Sequence, residues 1–109
     1  MTGSSETKQP APRARVATIQ IGNTDNRLSQ KEWSEFAMRA REAIQRTVHR
    51  VHFSGGADWD APRQNACWVC EVLPDQLPGL KAALRRLCVE HRQESIALSV
   101  GEPEFITAE

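Results

Sequence analysis

Between Arg15 and Ile21 the chain reads RVATIQI, in which Ala17, Ile19 and Ile21 alternate with Val16, Thr18 and Gln20. A period of two sends successive side chains to opposite faces, so this segment is predicted as a first strand with one buried face. GNTDNRL follows, and Gly22, Asn23, Asp25 and Asn26 are residues that turn the chain by bonding their own backbone. Ser29 and Glu32 then stand at the S-x-x-E spacing of a capping box, which starts a helix at Gln30. Trp33, Phe36, Ala37, Ala40 and Ile44 recur in steps of three and four and form one apolar stripe, with Val48 at its end, while Lys31, Glu35, Arg39, Glu42 and Arg46 fall elsewhere.

The second half repeats the alternation of strand and helix. VHRVHF, Val48 to Phe53, is short and β-branched or aromatic at Val51 and Phe53, which predicts a second strand. SGGADWDAPRQ, Ser54 to Gln64, reads as the longest loop, with Trp59 at its middle. NACWVCEVL, Asn65 to Leu73, is the most apolar strand candidate and is closed by Pro74 and Asp75. Leu77, Leu80, Leu84, Leu87, Cys88 and His91 return to helical spacing, so a second helix is expected from about Leu77 to His91. SIALSV, Ser95 to Val100, alternates again as a fourth strand, stopped by Gly101 and Pro103.

The order β, α, β, β, α, β predicts an α+β fold, the ferredoxin-like split βαβ sandwich: a four-stranded antiparallel sheet, strands one and three central, with both helices on one face. Residues 15–102 form this single domain in the prediction. Residues 1–14, rich in Ser, Thr, Gln and Pro, are read as a disordered tail, because they cannot bury enough to offset their ordering entropy, and 103–109 as a short C-terminal tail. The second sheet face is left uncovered. If Ala17, Ile19 and Ile21 point to the helices, Val16, Thr18 and Gln20 point away; on strand three Trp68, Cys70 and Val72 go inward and Asn65, Cys67, Val69 and Glu71 outward. The pattern leaves the opposite facing of strand three open. Arg50, His52, Ala97 and Ser99 extend the outward set.

Composition narrows the function classes. At 109 residues one core is expected, and fourteen basic residues balance fourteen acidic ones, so no net field draws the chain to phosphate backbones or anionic lipid. Nucleic acid is therefore not an expected partner. No apolar run reaches the length of a membrane span, and MTGSSETKQPAPRAR lacks the apolar middle of a secretory signal, so a cytoplasmic protein is expected. Three cysteines, Cys67, Cys70 and Cys88, are an odd number without disulfide-framework spacing and are read as reduced thiols.

Candidate chemistry is sparse. RNA-stacking aromatics on the central strands would have to stand at Thr18, Gln20, Cys67 and Val69, and none is aromatic. The Cys67-x-x-Cys70 pair would bind metal in a turn, but residues three apart in a strand point to opposite faces, so no metal site and no cofactor are assigned. His49 and His52 lie near Glu71 in the predicted sheet; His52 and Glu71 are the acid/base candidates, against the plainer reading of surface residues. Asn23, Asp25 and Asn26, with Asp58 and Asp60, could converge on a polar ligand or hard cation, although turn chemistry explains each equally well. Trp59 either caps the core or anchors a partner. Asn65 and Cys67 join Asn23, Asp25 and Trp59 as candidate ligand or partner contacts. His91, at the end of helix two, is read as structural.

The strings IGNTDNRLSQKEW, QNACWVCEV and ESIALSVGEPEF together resemble small proteins of actinobacteria and their mobile elements, over most of the chain after Arg15. The resemblance implies a folded domain and transfers no catalytic residue. Of three function classes, a binding or regulatory module that pairs through its open sheet face or a strand edge, as a homodimer or with another protein partner, ranks first, because it asks for no chemistry the residues do not show. A small dimeric enzyme with its cleft on that face, using His52 and Glu71, is second. Nucleic-acid binding through Arg39, Arg46, Arg50, Arg85 and Arg86 is third and requires those arginines to cluster.

Overall fold

The computed structural model describes residues 13–23, 27–57 and 64–108. The turn residues Asp25 and Asn26, the loop residues Asp58, Trp59 and Asp60, and residues 1–12 of the predicted tail lie outside the described residues. Strand β1 is Arg15–Gly22, helix α1 Gln30–Thr47, β2 Arg50–Gly56, β3 Asn65–Val72, α2 Leu77–Glu90 and β4 Ala97–Gly101, with a single 3-10 turn at Pro74–Gln76 leading into α2. The strands lie in the order β2-β3-β1-β4, every neighbouring pair antiparallel, which is the ferredoxin-like topology the pattern predicts.

The facing of β3 is settled by its partner. Ala17, Ile19 and Ile21 stand opposite Cys70, Trp68 and Ala66, and residues opposite one another share a face. Trp68, Cys70 and Val72 are accordingly buried with Ala17, Ile19 and Ile21. Against this surface α1 places Trp33, Phe36, Ala40 and Ile44, and α2 places Leu80, Leu84 and Leu87. Phe36 is fully buried; it meets Trp33 edge-on at 6.0 Å between ring centroids and the His91 ring at 5.0 Å. His91 thus has a packing role beside the end of α2.

The helix ends follow local chemistry. The Ser29 N–H donates to Glu32 Oε1 at 2.8 Å and the Glu32 N–H to Ser29 Oγ at 3.1 Å, closing the capping box. Leu28, just before the cap, and Trp33 are both in the core, the arrangement of a hydrophobic staple. At the other end of the chain's helical layer, Arg92 adopts φ 55°, a left-handed conformation usually given to Gly. The Gln93 N–H reaches Cys88 O at 2.8 Å and the Arg92 N–H Val89 O at 3.4 Å, which terminates α2, and Arg92 Nη2 pairs with Glu32 Oε2 at 3.0 Å.

Two boundaries differ from the sequence reading. β2 begins at Arg50, because Val48 is spent as the buried C-terminal cap residue of α1, and it continues through Gly56, into the stretch expected to be loop. β4 begins at Ala97, two residues later than expected, and includes Gly101, paired with Val16. The larger departure lies inside β2. Val51 pairs with Cys70 and Phe53 with Val69, so His52 is the extra residue of a bulge. The alternation that would send Phe53 to the core with Val51 is interrupted, and Phe53 emerges on the open face, 56% exposed.

Two outcomes test this account. Phe36→Ala should cost about 3–5 kcal/mol in urea unfolding, the range for emptying a fully buried aromatic site; a loss under about 1 kcal/mol would mean that α1 does not pack as described. The Glu32 carboxyl is held below its ordinary 4.5 by the Ser29 backbone N–H, with the Ser29 hydroxyl and Arg92 acting in the same direction. A depressed folded-state pKa stabilises fully above the unfolded value and loses that contribution as pH falls through the folded one. Glu32→Gln, which keeps the capping geometry, should therefore flatten the dependence of stability on pH below about 4.5, measured by urea melts between neutral and acid pH.

Candidate functional site

The face that the helices leave bare is built from alternate residues of all four strands. Val16, Thr18 and Gln20 of β1 stand opposite Glu71, Val69 and Cys67 of β3, and Thr18 and Gln20 also opposite Ser99 and Ala97 of β4. Its middle is apolar or nearly so: Thr18, Val69 and the ring of Phe53, which lies over Gly55, where an added Cβ would meet the ring at 2.9 Å. A glycine facing an aromatic side chain on the same strand is a device that covers backbone the missing side chain would expose. Gly56 is held more tightly still, since a Cβ there would collide with the Asn65 carbonyl.

At one end of this face the bulge brings the two acid/base candidates together. His52 Nε2 lies 3.1 Å from Glu71 Oε1, an exposed pair. They share a hollow of about 570 Å³ with Val16, Ala14, Arg13, Arg15, Pro103 and Phe105. The last two belong to the segment after β4, which is tied down where Glu102 accepts from Arg13 at 3.3 Å and faces Arg15 at 3.9 Å. Arg15 Nε is sealed from solvent and meets no acceptor among the described residues. A His and a Glu in hydrogen-bond contact beside an apolar wall can exchange a proton with a bound molecule, and the volume is that of a small-ligand pocket. His49 is not part of the pair; its exposed side chain sits on the connection to β2, where its N–H extends the sheet to Glu71 O at 3.0 Å.

The other end is polar. Asn65 and Cys67, two of the predicted contact residues, line a hollow of about 520 Å³ with Gln20, Arg92, Gln93 and Ser95. Asn23 is not presented to it. Its side chain is buried and clamps the turn, Nδ2 donating to Leu28 O at 2.9 Å and Oδ1 accepting from the Leu28 N–H at 3.0 Å, while its own N–H reaches Gln64 O at 2.9 Å. Asp25 and Trp59 fall outside the described residues, so the convergence proposed for them has no geometry to report.

The thiols separate as a strand requires. Cys67 is half-buried on the open face and Cys70 fully buried in the core. Burial, with the neighbouring Cys67 adding to it, pushes the Cys70 thiol up to about 11, and burial also raises Cys88. Among the described residues no group of three His, Cys, Asp or Glu side chains could hold a metal ion, and no helix is long and apolar enough to cross a membrane. The arginines do not form one stripe. Arg39, Arg46 and Arg86 share a hollow on the helical layer with Glu42 and Glu90, whereas Arg50 lies on the sheet opposite Glu71.

Sequence reasoning missed Phe53, Arg13, Arg15, Pro103 and Phe105. Phe53 could have been found only by seeing that VHFSGG, with two glycines after the aromatic, suits a bulged strand.

No family model matches the chain, and no curated protein matches it. Among solved structures, a phage SAM lyase in complex with S-methyl-5′-thioadenosine is similar with a TM-score of 0.51 at 12% identity, covering 90% of this chain and 88% of that one. A dimeric ferredoxin-like protein from an uncultured marine organism matches with a TM-score of 0.49 at 13% identity, over 88% of this chain and 94% of that one. The likeness to the lyase is one of fold, and the second match adds nothing to it.

The facing of the cysteines has a direct readout. With a thiol reagent on the native protein, Cys67 and Cys88 should react and Cys70 only on unfolding. A bound zinc lost with either Cys67→Ser or Cys70→Ser would contradict the strand geometry.

Proposed function

We propose that this chain is a small binding module that associates with itself through the sheet face the helices leave bare. The observation that carries the reading is the exposed Phe53 ring, placed by the bulge beside Val69 and Thr18 in the middle of that face. An aromatic in a core would be buried; here strand geometry aims it at whatever covers the sheet. Balanced charge adds no like-charge repulsion between copies.

A second reading rests on one specific contact, the 3.1 Å approach of His52 to Glu71 beside the 570 Å³ hollow. In it the chain is a small enzyme, with the carboxylate orienting the imidazole and the imidazole serving as general base or acid. The lyase of the same fold suggests a molecule to try, and the pair says where it would act.

Sedimentation velocity across concentration should show wild-type self-association that Phe53→Glu weakens at least tenfold, while Arg41→Glu on the outer face of α1 leaves it intact. A strict monomer at several hundred micromolar, or association indifferent to Phe53→Glu, sinks the module reading. For the enzyme reading, calorimetry with S-methyl-5′-thioadenosine should show binding that His52→Ala and Glu71→Gln each reduce. No binding, or binding unchanged in both variants, removes the pair from consideration.

A further inference from the structure

β1 is longer than the strand beside it. β4 pairs with it from Gly101 opposite Val16 to Ala97 opposite Gln20 and stops there, while β1 runs on to Gly22 against β3. In an antiparallel sheet alternate residues of a central strand direct both N–H and C=O to one neighbour, and the residues between direct theirs to the other. The phase is set at the end of β1. The Asn23 N–H donates to Gln64 O at 2.9 Å, so Ile21 and the other odd-numbered residues bond to β3, and Gln20 and Gly22 turn toward β4. Asn65 agrees, since its C=O accepts from the Ala57 N–H at 3.2 Å, on the β2 side and away from Gly22. Continued in register, β4 would set Ser95 opposite Gly22, but Ser95 belongs to no strand and makes no backbone bond to Gly22. The N–H and C=O of half-buried Gly22 are one rung of a ladder without a backbone partner among the described residues.

That rung opens into the polar hollow of about 520 Å³, which Gly22 and Ser95 both line. Gln20 and Asn65, exposed in the same hollow, add carboxamides that each donate and accept. The charges on its rim already have partners. Arg92 Nη2 lies 3.0 Å from Glu32 Oε2, and Glu94 Oε2 lies 3.9 Å from an Arg27 amine. An anion or an amine would compete with those pairs, whereas an uncharged group offering both N–H and C=O meets groups of matching chemistry. A residue of extended peptide carries that pair of groups at the spacing of a ladder rung.

We propose that this hollow binds a short uncharged peptide segment by its main chain. One residue of the segment takes the position opposite Gly22 that β4 does not reach, exchanging two hydrogen bonds with it, and the carboxamides of Gln20 and Asn65 hold the adjoining peptide groups. Recognition is by backbone, so it discriminates peptide from other small molecules more than one side chain from another. The site is separate from Phe53 and from the His52 and Glu71 pair, and it stands or falls independently of both readings above.

Amide-resolved NMR on the full chain reads the rung first. The Gly22 N–H should exchange with solvent at least tenfold faster than those of Thr18 and Gln20, which point to β4 and are paired. A Gly22 N–H protected as well as theirs overturns the inference, because β4 would then extend to Ser95 and close the hollow. Titration with N-acetyl-dialanine N-methylamide should next give saturable shifts centred on the Gly22 N–H and the side-chain amides of Gln20 and Asn65. The ester analogue, with oxygen in place of the central N–H, should bind at least fivefold more weakly. Asn65→Ala should weaken the peptide at least threefold and Arg41→Glu leave it unchanged; Gln20→Ala, with the same expected loss, replaces Asn65→Ala if that variant does not fold. No saturable shift, shifts centred on Phe53, an ester bound as tightly as the amide, or inorganic phosphate binding the same amides more tightly than the peptide each overturns the inference.

Discussion

The eight-rung antiparallel ladder between β1 and β3, from Arg15 opposite Val72 to Gly22 opposite Asn65, holds the rest of the structure in place. Both strands are central, so neither can shift without breaking pairs on both sides. Because side chains alternate, a slip of one residue would turn Trp68, Cys70 and Val72 to solvent and bring Glu71 and Val69 under the helices. That exchange would bury a carboxylate among apolar side chains such as Phe36, Ile44 and Leu80. The ladder's register thus fixes the core on one side and, by the same alternation, the composition of the bare face on the other.

Sheets can be extended by another chain at their edges or covered on their faces, and here the edges are poorly suited to the first. β4 has five residues. β2 is bulged at His52 and ends in Gly55 and Gly56, the second crowded by the Asn65 carbonyl. Short and bulged edge strands resist pairing with another strand. The same bulge that spoils the β2 edge moves Phe53 to the face. One irregularity therefore discourages edge pairing and places an aromatic ring on the bare face.

Most of the fold was legible because its elements carry unambiguous periods and caps. Ser29 and Glu32 start α1 where the capping box says, and the alternation of β1 needed no correction. The facing of β3 could not be read from β3 alone, since NACWVCEV is apolar on both sides; its partner decided it. The bulge was hidden for a different reason. It is a property of pairing, two residues against one, and a strand read by itself always looks regular. His52 and Glu71 were named from the sequence and do meet, but the walls that make their meeting a hollow come from residues 13–15 and 103–105, polar or proline-containing stretches whose side chains give no periodic signal. Asn23 shows the converse: a polar residue in a turn can be fully occupied by the backbone around it.

The bare face is graded along its strands, and the grading bears on which part can be covered. Toward Gln20, Asn65 and Arg92 it is lined by amides, a guanidinium, the Glu94 carboxylate and the Ser95 hydroxyl; toward Val16, Pro103 and Phe105 it is mostly apolar. Covering the first end with an apolar surface would strand side-chain amides at roughly 1–3 kcal/mol each. Covering the second removes aromatic and aliphatic surface from water and gains. An apolar cover would therefore gain over the middle and the Val16 end and lose over the Asn65 and Cys67 end. His52 and Glu71 stand at the boundary, beside the apolar wall, where a cover would take water from both, and the 3.1 Å contact between Nε2 and Oε1 offsets part of that loss.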